Sequence, residues 1–131
     1  GHYFRNSRLD KNKCLEVYED WGYRTLTVKN IADKVIVACY KENPVGFLSF
    51  KICDLNGERY SAGGMGAVSS MQRGKSIFPK ILHAGLKWSI DRRMDWCEHN
   101  VMVNNIPVNN SMIKAGFKPS NPVVTMHCWV D

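Results

Sequence analysis

The sequence predicts a mixed α/β fold, a mostly antiparallel central sheet flanked by helices and containing one parallel strand pair. Three observations predict it. Short β-branched and aromatic runs separated by turn signals fill 34–70, as successive antiparallel strands do. An amphipathic helical pattern follows from Ser76 to about Ile90. A further apolar run, Trp96–Val103, then closes a strand–helix–strand crossover, so it pairs in parallel with the strand before the helix. The resulting order is β, α, β, β, β, α, β, α, β, a sheet with helices on its faces.

Each element has its own local cause. His2–Ser7, with Tyr3 and Phe4, reads as a short strand. Asp10 is an N-cap type, and Cys14, Val17, Tyr18 and Trp21 follow at helical spacing, with Gly22 as C-terminal punctuation. Tyr23–Asp33 reads mostly as loop. Lys34–Tyr40 (KVIVACY) is a buried strand, and Lys41–Pro44 a turn. Val45–Cys53 is the next strand; Asp54–Glu58 holds Asn-Gly, a strong hairpin signal. Arg59–Ser70 is the third strand of this meander. Its middle, Ala62-Gly63-Gly64-Met65-Gly66, fits either a bulge with close backbone approach or a flexible loop leading into a shorter strand.

The helix from Ser76 carries Pro79 in its first turn, where a missing N–H costs little. Ile77, Ile81, Leu82, Gly85 and Trp88 form its apolar face, and Arg92 and Arg93 complement the dipole at its end. Asn104 and Asn105 precede a second helix, with Pro107 near its start and Gly116 just past its end. Val123–Val130 (VVTMHCWV) reads as the last strand.

At 131 residues the chain fits one domain, 1–131, large enough for a single core. Its 44% hydrophobic and 23% charged content is that of a soluble globular protein, and no run is long enough for a membrane span. The net charge of +6 and pI near 9.2 suit polyanionic ligands such as nucleotides or coenzyme A. Lys and Arg are scattered, and no helix-turn-helix or RNP sequence occurs, so no nucleic-acid partner is expected. The five cysteines form no C-x-x-C pair, and the histidines lack metal-ligand spacing. Neither a disulfide framework nor a metal is expected, and reduced thiols imply a cytoplasmic setting.

Met65–Ile90 is the stretch with most chemical content. A strand leads into the loop Met71–Lys75, which is basic and contains Gly74, and then into a helix. Unpaired N–H groups and the dipole at a helix start favour an anion, and Arg73 and Lys75 add charge. The loop reads either as a pyrophosphate seat or as an ordinary strand-to-helix connection.

Met71-Gln72-Arg73-Gly74-Lys75-Ser76 is similar to the Gln/Arg-x-x-Gly-x-Gly/Ala loop of GNAT-family acyl-CoA N-acyltransferases. It departs at Met71 and Ser76. Asn105, Val108, Met112 and Gly116-Phe117 match the spacing of that family's second helix, with Met112 in place of its usual tyrosine. The order and spacing of these motifs resemble the family from Asp10 to the end of the chain. A narrower resemblance links YFRNSRLDKNKCLEVYEDW and NNIPVNNSMIKAGF…VVTMHCW to the C-terminal domains of dTDP-fucosamine-type and related surface-polysaccharide acetyltransferases, so the chain is expected to be the catalytic part of a longer protein.

The resemblance implies an N-acetyltransferase that uses acetyl-CoA and an amine acceptor, favouring an amino sugar on a nucleotide. Ala67 and Val68 would hold the pantetheine and thioester by their backbone. Amides from Gln72, Arg73, Gly74, Lys75, Ser76 and Ile77 would hold the pyrophosphate, and Asn105 would touch the pantetheine arm. A bulge near Gly64–Gly66 would open the slot. With a thioether at Met112, Ser111, water or direct thiolate departure would serve the leaving group. Proton-acceptor candidates are Glu58, Glu98, His99 and His127, of which Glu98 and His99 alternate so that only one faces the cleft. His83, Cys97 and Cys128 lack any supporting motif. A degenerate acyl-CoA-binding or partner-binding module of the same fold is the alternative to an enzyme. The edge of the final strand, with Met126 and Trp129, would support a homodimer.

Overall fold

The computed structural model describes residues 2–130. After a 3-10 turn at His2–Arg5 come α1 (Lys11–Thr27), β1 (Lys34–Tyr40), β2 (Asn43–Leu55), β3 (Glu58–Val68), a 3-10 turn at Ser70–Gln72, α2 (Ile77–Asp91), β4 (Trp96–His99) and α3 (Ile106–Lys114). The four strands lie in the order β1-β2-β3-β4. The first two pairings are antiparallel and β3–β4 is parallel, which is the expected mixed sheet.

The meander follows from its turns. Lys41 and Glu42 both take positive φ, 49° and 68°, as do Asn56 and Gly57 at 51° and 84°, the hand that matches strand twist in two-residue hairpins. Helix α1 starts where Asp10 accepts from the Asn12 and Lys13 amides at 2.8 and 3.0 Å. It does not stop at Gly22 but continues to Thr27. The space a Gly22 side chain would take faces Met65 of β3, whose Cε is 3.8 Å from the position of a Cβ there. Packing on the sheet outweighs the modest cost of glycine inside a helix.

Helices α2 and α3 share one face of the sheet. Phe50 of β2 points at Gly85 of α2, where a Cβ would lie 2.2 Å from the ring, while its neighbour Ser49 points to the other face. The core comprises Leu48, Phe50, Ile81, Leu82 and Met112. Beneath it Ser61 and Ser89 share a buried hydrogen bond of 2.6 Å, and Ser89 also donates to the Gly85 carbonyl at 3.0 Å. Both ends of the sheet differ from expectation. His2–Arg5 is a 3-10 turn rather than a strand, β4 stops at His99 instead of Val103, and Val123–Val130 forms no strand.

That last run is β-prone in composition, yet a strand needs a neighbouring edge to satisfy its backbone. Val123, Val124, Met126 and Val130 are 79–95% exposed. The segment lies instead against the start of the chain. Asn6 Nδ2 donates to His127 Nδ1 at 2.6 Å, Tyr3 stacks on His127, and Arg8 sits 4.4 Å above the Trp129 ring.

Because any side chain at position 85 overlaps the buried Phe50 ring, Gly85→Val is expected to destabilise the fold by about 1–3 kcal/mol through overpacking. A urea unfolding curve checks this.

Candidate functional site

The site is made by one irregularity in β3. Leu48 pairs with Gly66 and Phe50 with Gly63, so Ser49 alone faces both Gly64 and Met65. This is a bulge, as the glycine run allowed, and it bends the strand. Ser49 Oγ donates to the Met65 carbonyl at 3.0 Å and so pins the extra residue. A Cβ at Gly64 would lie 2.6 Å from that hydroxyl.

On the other edge, β3 and β4 run in register from Tyr60↔Trp96 to Gly63↔His99 and then part. From Gly64 to Val68 the outer edge of β3 faces a slot. Ala67 and Val68 pair with Phe47 and Gly46; the Ser69 N–H bonds the Val45 carbonyl at 2.8 Å, so by strand alternation Ala67 turns its backbone groups to β2 and Val68 turns its own to the slot.

Beyond His99 the chain continues as the connection from β4 to α3. Asn109 holds it together. Its Nδ2 reaches the carbonyls of Met102 and Asn105 at 2.9 Å and Val103 at 3.3 Å. Sequence reading passed over Asn109, and over Ser49, because nothing local marks a residue whose partners are carbonyls of a distant bulge or of a non-repetitive loop. Asn105 begins α3, and its exposed side chain makes no capping bond. Ser111 donates its hydroxyl hydrogen to Pro107 at 2.9 Å, so its oxygen is an acceptor for any other group. Met112 is buried at 5% exposure in the core.

The mouth of the slot is the start of α2. Gly74 takes φ +80° with open space around it, so its backbone rather than crowding calls for glycine. Ser76 takes φ 58° and offers no side-chain cap, and the first turn of α2 has no acidic residue. The amides of Ile77 and Phe78 have no intrahelical acceptor at this position. Gln72, Arg73, Lys75 and Ser76 form the loop just before them. Lys75 Nζ and Lys41 Nζ lie 5.7 and 5.5 Å from the Tyr40 ring. The entrance is thus a helix dipole with nearby cations and no acidic residue in its first turn, an arrangement that suits a phosphate.

At the closed end lies His99. Its Nδ1–H donates to the Asn100 carbonyl at 3.0 Å, and its Nε2 is buried without a hydrogen-bond partner among the described residues. The ring rests on Gly63, where a Cβ would meet Cδ2 at 2.4 Å. Burial holds the imidazole below the ordinary histidine value, partly offset by the bond to Asn100.

The remaining candidates are scattered. Glu98 is exposed on the opposite face of β4, and Glu58 is exposed at the hairpin end of β3. His127 belongs to the cluster with Asn6 and Tyr3. His83 lines a shallow groove on the outer side of α2 with Lys80 and Lys87. Burial pushes the Cys97 thiol up, partly offset by hydrogen bonds with Ser61 and Ser89, which disfavours the thiolate. Among the described residues no cluster of His, Cys, Asp or Glu could hold a metal ion, and no helix is long and apolar enough to cross a membrane.

The architecture is shared with solved structures. A ribosomal-protein-alanine N-acetyltransferase from Brucella melitensis biovar Abortus 2308 is similar with TM-score 0.68 and 16% identity, over 87% of this chain and 88% of that one. AAC(6')-Iy in complex with the bisubstrate analogue CoA-S-monomethyl-acetylneamine is similar with TM-score 0.61 and 14% identity, over 88% and 93%. A protein named as a transcriptional regulator, from Bacillus halodurans C-125, is similar with TM-score 0.66 and 19% identity, over 87% and 76%. No protein-family model and no curated protein matches this sequence. The chain therefore shares its mixed α/β fold with these N-acetyltransferases, as the resemblance implied.

The state of His99 has a measurable consequence. Its folded pKa is depressed, so below the unfolded value of about 6.5 the unfolded chain takes up a proton that the native chain resists. Its contribution to stability is present above that pH and is lost as pH falls through the folded pKa. Thermal melts of wild type and His99→Gln between pH 7.5 and 5 should show a shallower decline in the variant.

Proposed function

We infer that the chain is an N-acetyltransferase carrying an acetyl group from acetyl-CoA to a primary amine. The observation that carries this reading is the slot itself. A bulge parts β3 from β4 beside the basic, uncapped N-terminus of a 15-residue helix. Such a slot accepts a flexible amide-containing arm by strand-like hydrogen bonds, with the phosphates at the helix start. Ala67 and Val68 would bind the pantetheine, the amides from Gln72 to Ile77 the pyrophosphate, and Asn105 would touch the arm. The CoA adduct in a structure of the same fold supports the same occupant.

The chemistry requires no covalent enzyme intermediate. The amine nitrogen attacks the thioester carbon, and the carbonyl pair moves onto oxygen, where a backbone N–H of β3 beyond the bulge would stabilise it. The oxygen pair then re-forms the carbonyl as the C–S bond breaks, sulfur leaves with the bonding pair, nitrogen loses a proton to water, and water supplies one to sulfur. Holding both reactants in one ternary complex supplies much of the acceleration. Met112 brings no acidic hydrogen, and the Ser111 hydroxyl is engaged with Pro107, so water or solvent is the proton donor to the thiolate unless Ser111 turns away from its helix.

The acceptor we favour is an amino sugar carried on a nucleotide, a reading that rests on the narrower sequence resemblance. A cytoplasmic homodimer joined through Val123–Val130, which has apolar residues and no strand partner among the described residues, completes the proposal. Sedimentation at high protein concentration is expected to show a dimer, and a monomer would remove that part.

A second reading is favoured by one specific observation. Met112 is packed into the core and the site offers no tyrosine hydroxyl there, as in a module that holds acyl-CoA without turning it over. Acetyl-CoA at about 100 times its dissociation constant should stabilise the fold by about 2.7 kcal/mol, and Gly74→Asp should abolish the shift. CoA release with an amine acceptor separates the enzyme from the module.

A further inference from the structure

Resting on the acetyl-CoA reading, we propose that His99, laid across Gly63 at the closed end of the β3–β4 slot, is a specificity-determining residue that limits the donor to a short acyl group. The slot has a direction. Its mouth is the basic start of α2, and its floor is the last paired couple, Gly63 and His99. The five residue steps from Val68 to Gly63 span about 17 Å at about 3.4 Å per residue. That is comparable with an extended pantetheine arm. A donor held by its pyrophosphate at the mouth would lie along Val68 and Ala67 and bring its thioester to the bulge. The acyl tail would then point at the floor.

The floor is full. The His99 ring lies so close to Gly63 that a Cβ there would fall 2.4 to 2.9 Å from Cδ2, Cγ and Nε2. The Nδ1–H bond to Asn100 pins the ring at its other edge. Backbone lies beneath it, so the ring cannot sink to admit further carbons. Its Nε2 is sealed without a partner among the described residues, so what the ring supplies at this point is volume rather than a hydrogen bond. The hydroxyls nearest in the strand register, Ser61 and its partner Ser89, are spent on each other and on the Gly85 carbonyl. The inward faces of β3 and α2 bring Ser61, Gly63, Ile81, Leu82, Gly85 and Ser89.

Calorimetric binding of CoA, acetyl-CoA, propionyl-CoA and butyryl-CoA tests this without an acceptor. Wild type is expected to bind butyryl-CoA at least about tenfold more weakly than acetyl-CoA, in the range of one or two disallowed methylenes. His99→Ala is expected to bring the two within about threefold, and His99→Phe, which refills the floor, to keep the wild-type preference. Wild type binding both donors equally overturns the proposal while leaving the cofactor reading intact. So does a His99→Phe variant as permissive as His99→Ala. Wild type that binds none of the four, CoA included, removes the acetyltransferase reading and this inference together. Should His99→Ala fail to fold, the wild-type series and His99→Phe still decide.

Discussion

The extra residue at Gly64–Met65 is the constraint on which the rest of this structure depends. A parallel ladder satisfies the backbone of both strands and leaves no room between them. One additional residue opposite Ser49 turns β3 away from β4 at Gly63 and exposes its edge. Ser49 makes the distortion definite by binding the Met65 carbonyl, and Gly64 makes it possible by leaving that hydroxyl its place. Without the bulge, β4 could continue along β3 and the slot would close.

The other half of the site depends on how closely α2 approaches the sheet. Gly85 lets the helix settle onto Phe50, and the Ser61–Ser89 bond fixes its rotation from within the core. The start of the same helix is thereby carried to the end of the slot, where Gly74 and Ser76 turn the chain through left-handed backbone conformations. Core packing and the basic helix entrance are in this way coupled through one element. The same face of the sheet carries His99 and Cys97, both poorly solvated and both biased toward the neutral form, which leaves the cations at the mouth as the main charges of the site.

Fold resemblance reaches further than identity here. Structures that share 14–19% of residues superpose over 87–88% of the chain. One such structure is named as a regulator rather than as a transferase.

Much of this was legible in the sequence because it is local chemistry. Asn56-Gly57 announces a type of turn, KVIVACY a strand, Asp10 a helix start, and Gly74 beside Arg73 and Lys75 a basic helix entrance. The three glycines of 63–66 predicted either a bulge or a loop, and the pairing decided for the bulge. What the tertiary structure alone decided were matters of partnership. Helix α1 passes through Gly22 because Met65 lies beneath it, and β4 ends at His99 because β3 has already turned away. Val123–Val130 has a strand's composition without an edge to join, and Asn109 is a helix residue whose bonds shape a loop. Propensity and periodicity report what a segment would do beside a suitable neighbour, and only the fold says whether that neighbour is there.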